Sequence, residues 1–250
     1  MIRKESNGIH TLEFELFSQF QKLKCVIFLR HGGKSQGKYH SLNLSYTVGD
    51  DLSAVKANEI SILSELKLES LIRGNLSHGK TIVEAKRNKE INHLTFDAIC
   101  TKELTLGLLI THADCQAACF YDPVNHAVAN VHAGWRGTVQ NIYTETVQFM
   151  MKTYGSNPAD LHVGIAPSLG PSDAEFIRYK LELPEKYWQF QTKANHFNFW
   201  QIAKMQLIEC GILDHHIQIA SISTYSNSQD FFSYRLENIT GRNATVVALL

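Results

Sequence analysis

Residues 106–137 read LGLLITHADCQAACFYDPVNHAVANVHAGWRG. Three apolar runs within it, at 106–112, 116–121 and 126–131, have the composition of buried strands. Cys115 and His132, seventeen positions apart, each stand at the end of one of them. A Gly-Trp-Arg-Gly turn, Gly134–Gly137, follows at once. A thiol and an imidazole delivered to strand ends are the donors that a soft or borderline metal such as zinc takes.

Outward from this stretch the pattern stays strand-rich. Strands are expected at 10–17, 24–30, 69–75, 80–86, 96–101, 161–165, 217–222 and 243–249. Helical spacing of apolar residues predicts helices over 54–66, capped by Ser53 after Asp50-Asp51, over 138–154, and over 199–210, ended by Gly211. With so few helices and no regular strand–helix alternation, mixed sheets carrying helices on their outer faces are expected rather than a doubly wound parallel fold. Neither G-x-G-x-x-G nor a Walker loop is present. No repeat or low-complexity linker divides the chain, so residues 1–250 are read as a single domain.

Composition narrows the function. Lys plus Arg and Asp plus Glu number 24 each, so there is no general charge to draw nucleic acid or an anionic membrane. No apolar run approaches the ~20 residues of a bilayer span, and the start lacks the apolar core of a signal peptide. Five scattered cysteines do not make a disulfide framework and suit a reducing cytosol. The expectation is a cytoplasmic enzyme.

Of the twelve histidines, His78 stands out beside His132. It lies in Leu-Ser-His-Gly-Lys between two expected strands, where Gly79 lets the backbone turn and aim the ring inward. Cys115 has an alternative reading as a small buried hydrophobe, the role that fits Cys25, Cys100, Cys119 and Cys210. The acid beside it, Asp114, is an expensive way to fill a core and favours chemistry. His78, Cys115 and His132 would then form a three-ligand site. Its open fourth position would hold a water whose pKa zinc lowers towards ~7.

Several segments resemble, in one order, the YfiH-like family, also called multicopper-polyphenol-oxidase or laccase-domain proteins. They are LRHGGKSQGKYHSLNLSYTVGDD, SHG at 77–79, FDAICT, HADC, HAGWRG, GIAPSLGPS, DFFSYR and TGR. The resemblance implies an α+β fold, a four-layer α/β/β/α sandwich with mixed sheets similar to the catalytic domain of cytotoxic necrotizing factor. It implies a monomer with zinc, or less readily copper, on His78, Cys115 and His132. It also implies a purine nucleoside phosphorylase using phosphate with adenosine, inosine, guanosine and S-methyl-5′-thioadenosine, with adenosine deaminase activity besides. The chain departs from the family at Leu29, at Leu76-Ser77 and at Ser172-Asp173, which bears on substrate preference more than on fold.

Roles for the remaining residues follow from that chemistry. Arg30 and Arg136 are the phosphate candidates, because a guanidinium grips phosphate bidentately. Arg136 also precedes the expected 138–154 helix, and Arg235 and Arg242 rank lower. Asp114 is the candidate proton shuttle, with Glu175 behind it. Trp135 and Phe231-Phe232 offer rings for purine stacking, and Asn43 would bind ligand or brace the glycine loop. Two other readings stand: a peptidoglycan-precursor-editing amide hydrolase with Cys115 as nucleophile and His132 as base, and a non-catalytic metal-binding module.

Overall fold

The computed structural model describes residues 1–87 and 89–250. In chain order it contains β1 (Ile2–Ser6), β2 (Ile9–Glu13), β3 (Leu23–Phe28), α1 (Leu52–Leu66), β4 (Ser70–Ile72), β5 (Ile82–Glu84), β6 (Ala98–Thr101), β7 (Leu106–His112), β8 (Gln116–Asp122) and β9 (Ala127–Ala133). There follow α2 (Trp135–Val139), α3 (Ile142–Tyr154), β10 (His162–Ile165), α4 (Tyr179–Glu182), β11 (Gln191–Lys193), β12 (His196–Phe197), α5 (Phe199–Glu209), β13 (Ile217–Ile219), α6 (Tyr234–Glu237) and β14 (Asn243–Leu249).

One six-stranded sheet has the order β1-β2-β3-β14-β7-β4, the other β13-β10-β8-β9-β6-β5, and β11-β12 form a separate hairpin. Both large sheets are mixed. β4 runs parallel to β7, β5 to β6 and β10 to β13, while the remaining pairs are antiparallel.

Period-two alternation builds the layers. In the first sheet Leu108, Ile110, Val247 and Leu249 turn towards the second sheet, where they meet Ala117, Cys119, Tyr121 and Val128. Their neighbours Leu109, Ala244, Val246 and Ala248 turn the other way, onto Ile62 and Leu66 of α1. The outer face of the second sheet, including Ala118, Phe120, Ala129 and Val131, is covered by α3 and α5 through Tyr143, Val147, Met150 and Leu207. The result is helix, sheet, sheet, helix: an α+β sandwich of four layers.

The same alternation places Asn130 and His132 on the inner face of β9. Asn130 ties the sheets together there, its amide donating to Leu108 O at 2.9 Å and to Thr245 O at 2.8 Å. A further aromatic cluster around Tyr187, Phe197 and Phe199 packs against Trp135, Phe176 and Val139 at one end of the second sheet.

Several boundaries differ from the sequence expectation. The expected 10–17 strand ends at Glu13 because Glu15–Phe17 coil into a 3-10 turn that buries Phe17. The first helix is capped by Asp51, not Ser53; the Asp51 carboxylate accepts from Ser53 N at 2.7 Å. The expected 138–154 helix is two helices, broken where Asn141 takes a φ of 61°. Val139 packs into the aromatic cluster while Ile142 and Tyr143 pack onto the sheet, so one straight helix could not serve both. The strands expected at 69–75, 80–86 and 217–222 shrink to three residues each. No helix among the described residues is long and apolar enough to cross a membrane.

Candidate metal centre

The β8–β9 ladder carries two of the three predicted donors. Ala117 pairs with His132 and Gln116 with Ala133, so Cys115, just before β8, lies across from Gly134. The third donor arrives from the β4–β5 connection, where His78 adopts a φ of 60°. The ligand atoms of His78, Cys115 and His132 all lie within 4.8 Å of one another. The two imidazole rings meet edge-on, with centroids 4.9 Å apart. Gly134 permits this convergence, since a Cβ there would stand 2.8 Å from His78 Cδ2 and 3.2 Å from Cys115 Sγ.

Asp97, fully buried just ahead of β6, organises the three. One carboxylate oxygen faces His132 Nδ1 at 3.0 Å and accepts from His78 N at 2.8 Å. The other accepts from Ser77 Oγ at 2.6 Å and Gly79 N at 2.8 Å. The backbone carbonyl of Asp97 also accepts from His132 N at 2.7 Å. A carboxylate behind a ligand imidazole fixes its tautomer and leaves the opposite nitrogen for the ion.

The electrostatics agree with this geometry. Burial alone would raise the Asp97 carboxyl, but hydrogen bonds from His132, Ser77 and the Gly79 amide hold it well below the usual carboxylate range. Burial would likewise raise the Cys115 thiol, yet the adjoining His132 and His78 pull it down to about 6. Burial lowers His132, but Cys115 and Asp97 outweigh this and push it up to about 9. A thiolate, two imidazoles and a carboxylate behind one of them suit a borderline divalent metal.

Two cavities meet at Cys115. The larger, of about 670 Å³, is bounded by the three donors with Tyr46, Arg73, Asn92, His112 and Arg242. The smaller, of about 270 Å³, is aromatic, lined by Trp135, Phe176 and Phe199 with Asp114 and Arg235. Ala113, Cys115 and Tyr234 belong to both.

The other residues singled out in the sequence fall in varied places. Asp114, with a φ of 86°, lines the aromatic cavity and accepts from Thr224 Oγ1, Ser233 Oγ and Arg235 N at 2.6–2.7 Å, so it braces three segments. Trp135 lines the same cavity, edge-on to Phe176. Arg136 is exposed, stacks over the Trp135 ring at 4.3 Å and borders neither cavity. Arg30 also borders neither. It donates to Ser228 O and His40 O, pairs with Glu237 and lies over Phe232. Asn43 is fully buried; its amide donates to Ser45 O and Asp50, and its carbonyl accepts from Ser45 N and Arg242 N. It thereby supports the loop that walls the larger cavity. Glu175 is exposed and borders neither cavity, and Phe231 and Phe232 are buried.

Asp97, Arg73 and His112 were not singled out from the sequence. The signal for Asp97 was available: an acid between Phe96 and the apolar run Ala98–Cys100 is as costly as the one argued for Asp114.

Residues 24–250 match the family described as multi-copper polyphenol oxidoreductase laccase. A purine nucleoside phosphorylase of Bacteroides thetaiotaomicron is 28% identical over 244 residues, covering 90% of each chain. Another from Pseudomonas aeruginosa is 30% identical over 237 residues, covering 91% of this chain and 94% of that one. Among solved structures, the hypothetical protein YfiH of Bacillus licheniformis superposes with a TM-score of 0.88 at 25% identity, covering 99% of both chains. YlmD from Geobacillus stearothermophilus gives the same score at 24% identity, covering 98% of this chain and 97% of that one.

Proposed function

The chain belongs to the multi-copper polyphenol oxidoreductase laccase family, and from that premise we propose that it is a zinc-dependent purine nucleoside phosphorylase. Its substrates on this reading are adenosine, inosine, guanosine and S-methyl-5′-thioadenosine with phosphate, and it also deaminates adenosine. The observation that carries the reading is the convergence of His78, Cys115 and His132 within 4.8 Å where a cavity with arginines meets one lined by aromatic rings. The names of the Bacteroides and Pseudomonas relatives support it. Among the described residues there is one such donor group, a poor basis for multicopper oxidation.

Held by His78, Cys115 and His132, zinc would supply Lewis acidity to the reacting groups. The rest is the work of this chain. Trp135, Phe176 and Phe199 offer faces for a purine and exclude water around it. Asp97 holds the His132 ring in one orientation and fixes the turn that carries His78. Asp114 holds Thr224, Ser233 and α6 around the aromatic cavity, beside the position the base would take.

Metal-quantified protein incubated with adenosine and phosphate should release ribose 1-phosphate in an amount equal to adenine plus hypoxanthine, and Cys115→Ala should abolish turnover. Adenine released equally fast without phosphate would reject a phosphorylase. With phosphate left out, inosine accumulating from adenosine reports the deaminase, and its absence there removes that part of the proposal.

A second reading has one observation behind it. The ligand atoms of Cys115 and His132 lie within 4.8 Å of each other, close enough for the imidazole to lower the thiol and the thiol to raise the imidazole, the pattern of a nucleophile and its base. Used without metal, the pair would cleave an amide of a peptidoglycan precursor. Amide cleavage that survives His78→Ala and metal removal would favour this hydrolase over the phosphorylase.

A further inference from the structure

Arg242 stands just ahead of β14, on the wall of the larger cavity, with its backbone N held by Asn43 Oδ1 at 2.9 Å. Its Nη1 donates to the carbonyls of Thr240 and Gly241, both at 2.9 Å, and these are neutral acceptors. The side chain is partly buried, and it pairs with no carboxylate among the described residues. The other arginines differ. Arg73, on the same cavity, pairs with Glu59 and lies over Tyr46. Arg30 pairs with Glu237, while Arg136 and Arg235 are exposed to solvent and need no counter-charge.

A guanidinium taken partly out of water without a paired carboxylate is costly, and its Nε and Nη2 edge has the fork geometry that matches phosphate. Across the same cavity stand His78, Cys115 and His132. The cavity therefore presents a cationic side chain on one wall and the donor cluster on another.

We propose that Arg242 is the phosphate-binding residue, holding inorganic phosphate in the larger cavity while the purine occupies the aromatic one. The assignment rests on the phosphorylase reading. Ribose C1′ then lies where the two cavities meet, at Cys115. A phosphate oxygen forms a bond to C1′ as the C1′–N9 bond breaks. The bonding pair leaves with the purine, which takes up the proton of hydrogen phosphate. Atoms and charge balance without an oxidant or reductant.

The test titrates inorganic phosphate into metal-loaded wild type, Arg242→Gln and Arg242→Lys by calorimetry, and measures KM for phosphate and for inosine in each. Glutamine should weaken phosphate binding about 10- to 100-fold, the loss of a charge-assisted pair, with KM for inosine changed less than about threefold. Lysine, which keeps the charge but loses the fork, should fall between; it decides the matter if the glutamine variant does not fold. Phosphate affinity equal to wild type in either folded variant overturns the assignment, as does a wild type that binds no phosphate. Nucleoside cleavage independent of phosphate would sink the phosphorylase reading, while calorimetry on the same protein still decides whether Arg242 holds the anion.

Discussion

His132 and Asp97 are joined twice, ring nitrogen to carboxylate oxygen at 3.0 Å and backbone N–H to backbone carbonyl at 2.7 Å. The second bond sets where the histidine sits and the first sets how its ring is turned. The same carboxylate also collects the amides of His78 and Gly79. Asp97 therefore positions two donors from chain segments far apart in sequence.

Replacing Asp97 with Asn keeps the shape but removes the charge that pairs with the ligand ring. Metal affinity should fall about 10- to 100-fold. Competition against a chromophoric chelator measures it, and an unchanged dissociation constant would refute the role given to this carboxylate.

Gly134→Ala introduces a methyl group 2.8 Å from His78 Cδ2 and 3.2 Å from Cys115 Sγ. The backbone tolerates alanine there, with a φ of −68°, so folding should be preserved and the cost should fall on the donors. The expected result is a melting temperature within a few degrees of wild type together with metal content well below one ion per chain. Full metal content in the variant would show that His78 yields freely.

Asn130→Ala removes the two hydrogen bonds that cross between the sheets and opens a gap in a region with no solvent access. Lost buried hydrogen bonds and a cavity together should cost about 2–4 kcal/mol. Urea unfolding should show the midpoint lowered with the slope unchanged; a midpoint equal to wild type would mean the sheets do not depend on this tie.

Burial pushes the imidazole of His112 down to about 3, whereas a histidine in the unfolded chain titrates near ~6.5. Between those values the unfolded chain binds a proton that the folded chain does not. Stability from this group is therefore complete above ~6.5 and drains away as pH falls towards the folded value, by about 1.4 kcal/mol per unit. His112→Asn should flatten that part of the stability–pH curve, followed by denaturant titration from pH 7 to 5. A slope the same as wild type would contradict the burial argument.

Much of the sandwich was legible because its central strands are apolar and nearly continuous. β7, β8, β9 and β14 lie close to where the alternation and apolar runs put them. That His78, Cys115 and His132 come together was legible too, from a thiol and an imidazole at strand ends and a His-Gly turn between two expected strands. What escaped was set by long-range contact. β1 is mostly exposed and reads as polar chain until β2 pairs with it. The break at Asn141 is hidden because Val139 and Ile142 continue one apolar stripe while serving different cores. Arg30 is consumed by carbonyls some two hundred residues away, which no local pattern reveals. Asp97 reads locally as a costly acid in an apolar run, but its role is hidden because its partners come from the 77–79 turn and from β9.

The turn that bears His78 is closed by protein hydrogen bonds alone, three backbone amides and a hydroxyl clasping one acid. Nothing in that clasp requires an ion. A chelator should accordingly strip the metal and leave a folded sandwich that reloads on dilution, unlike a zinc finger, which unravels when its ion is taken.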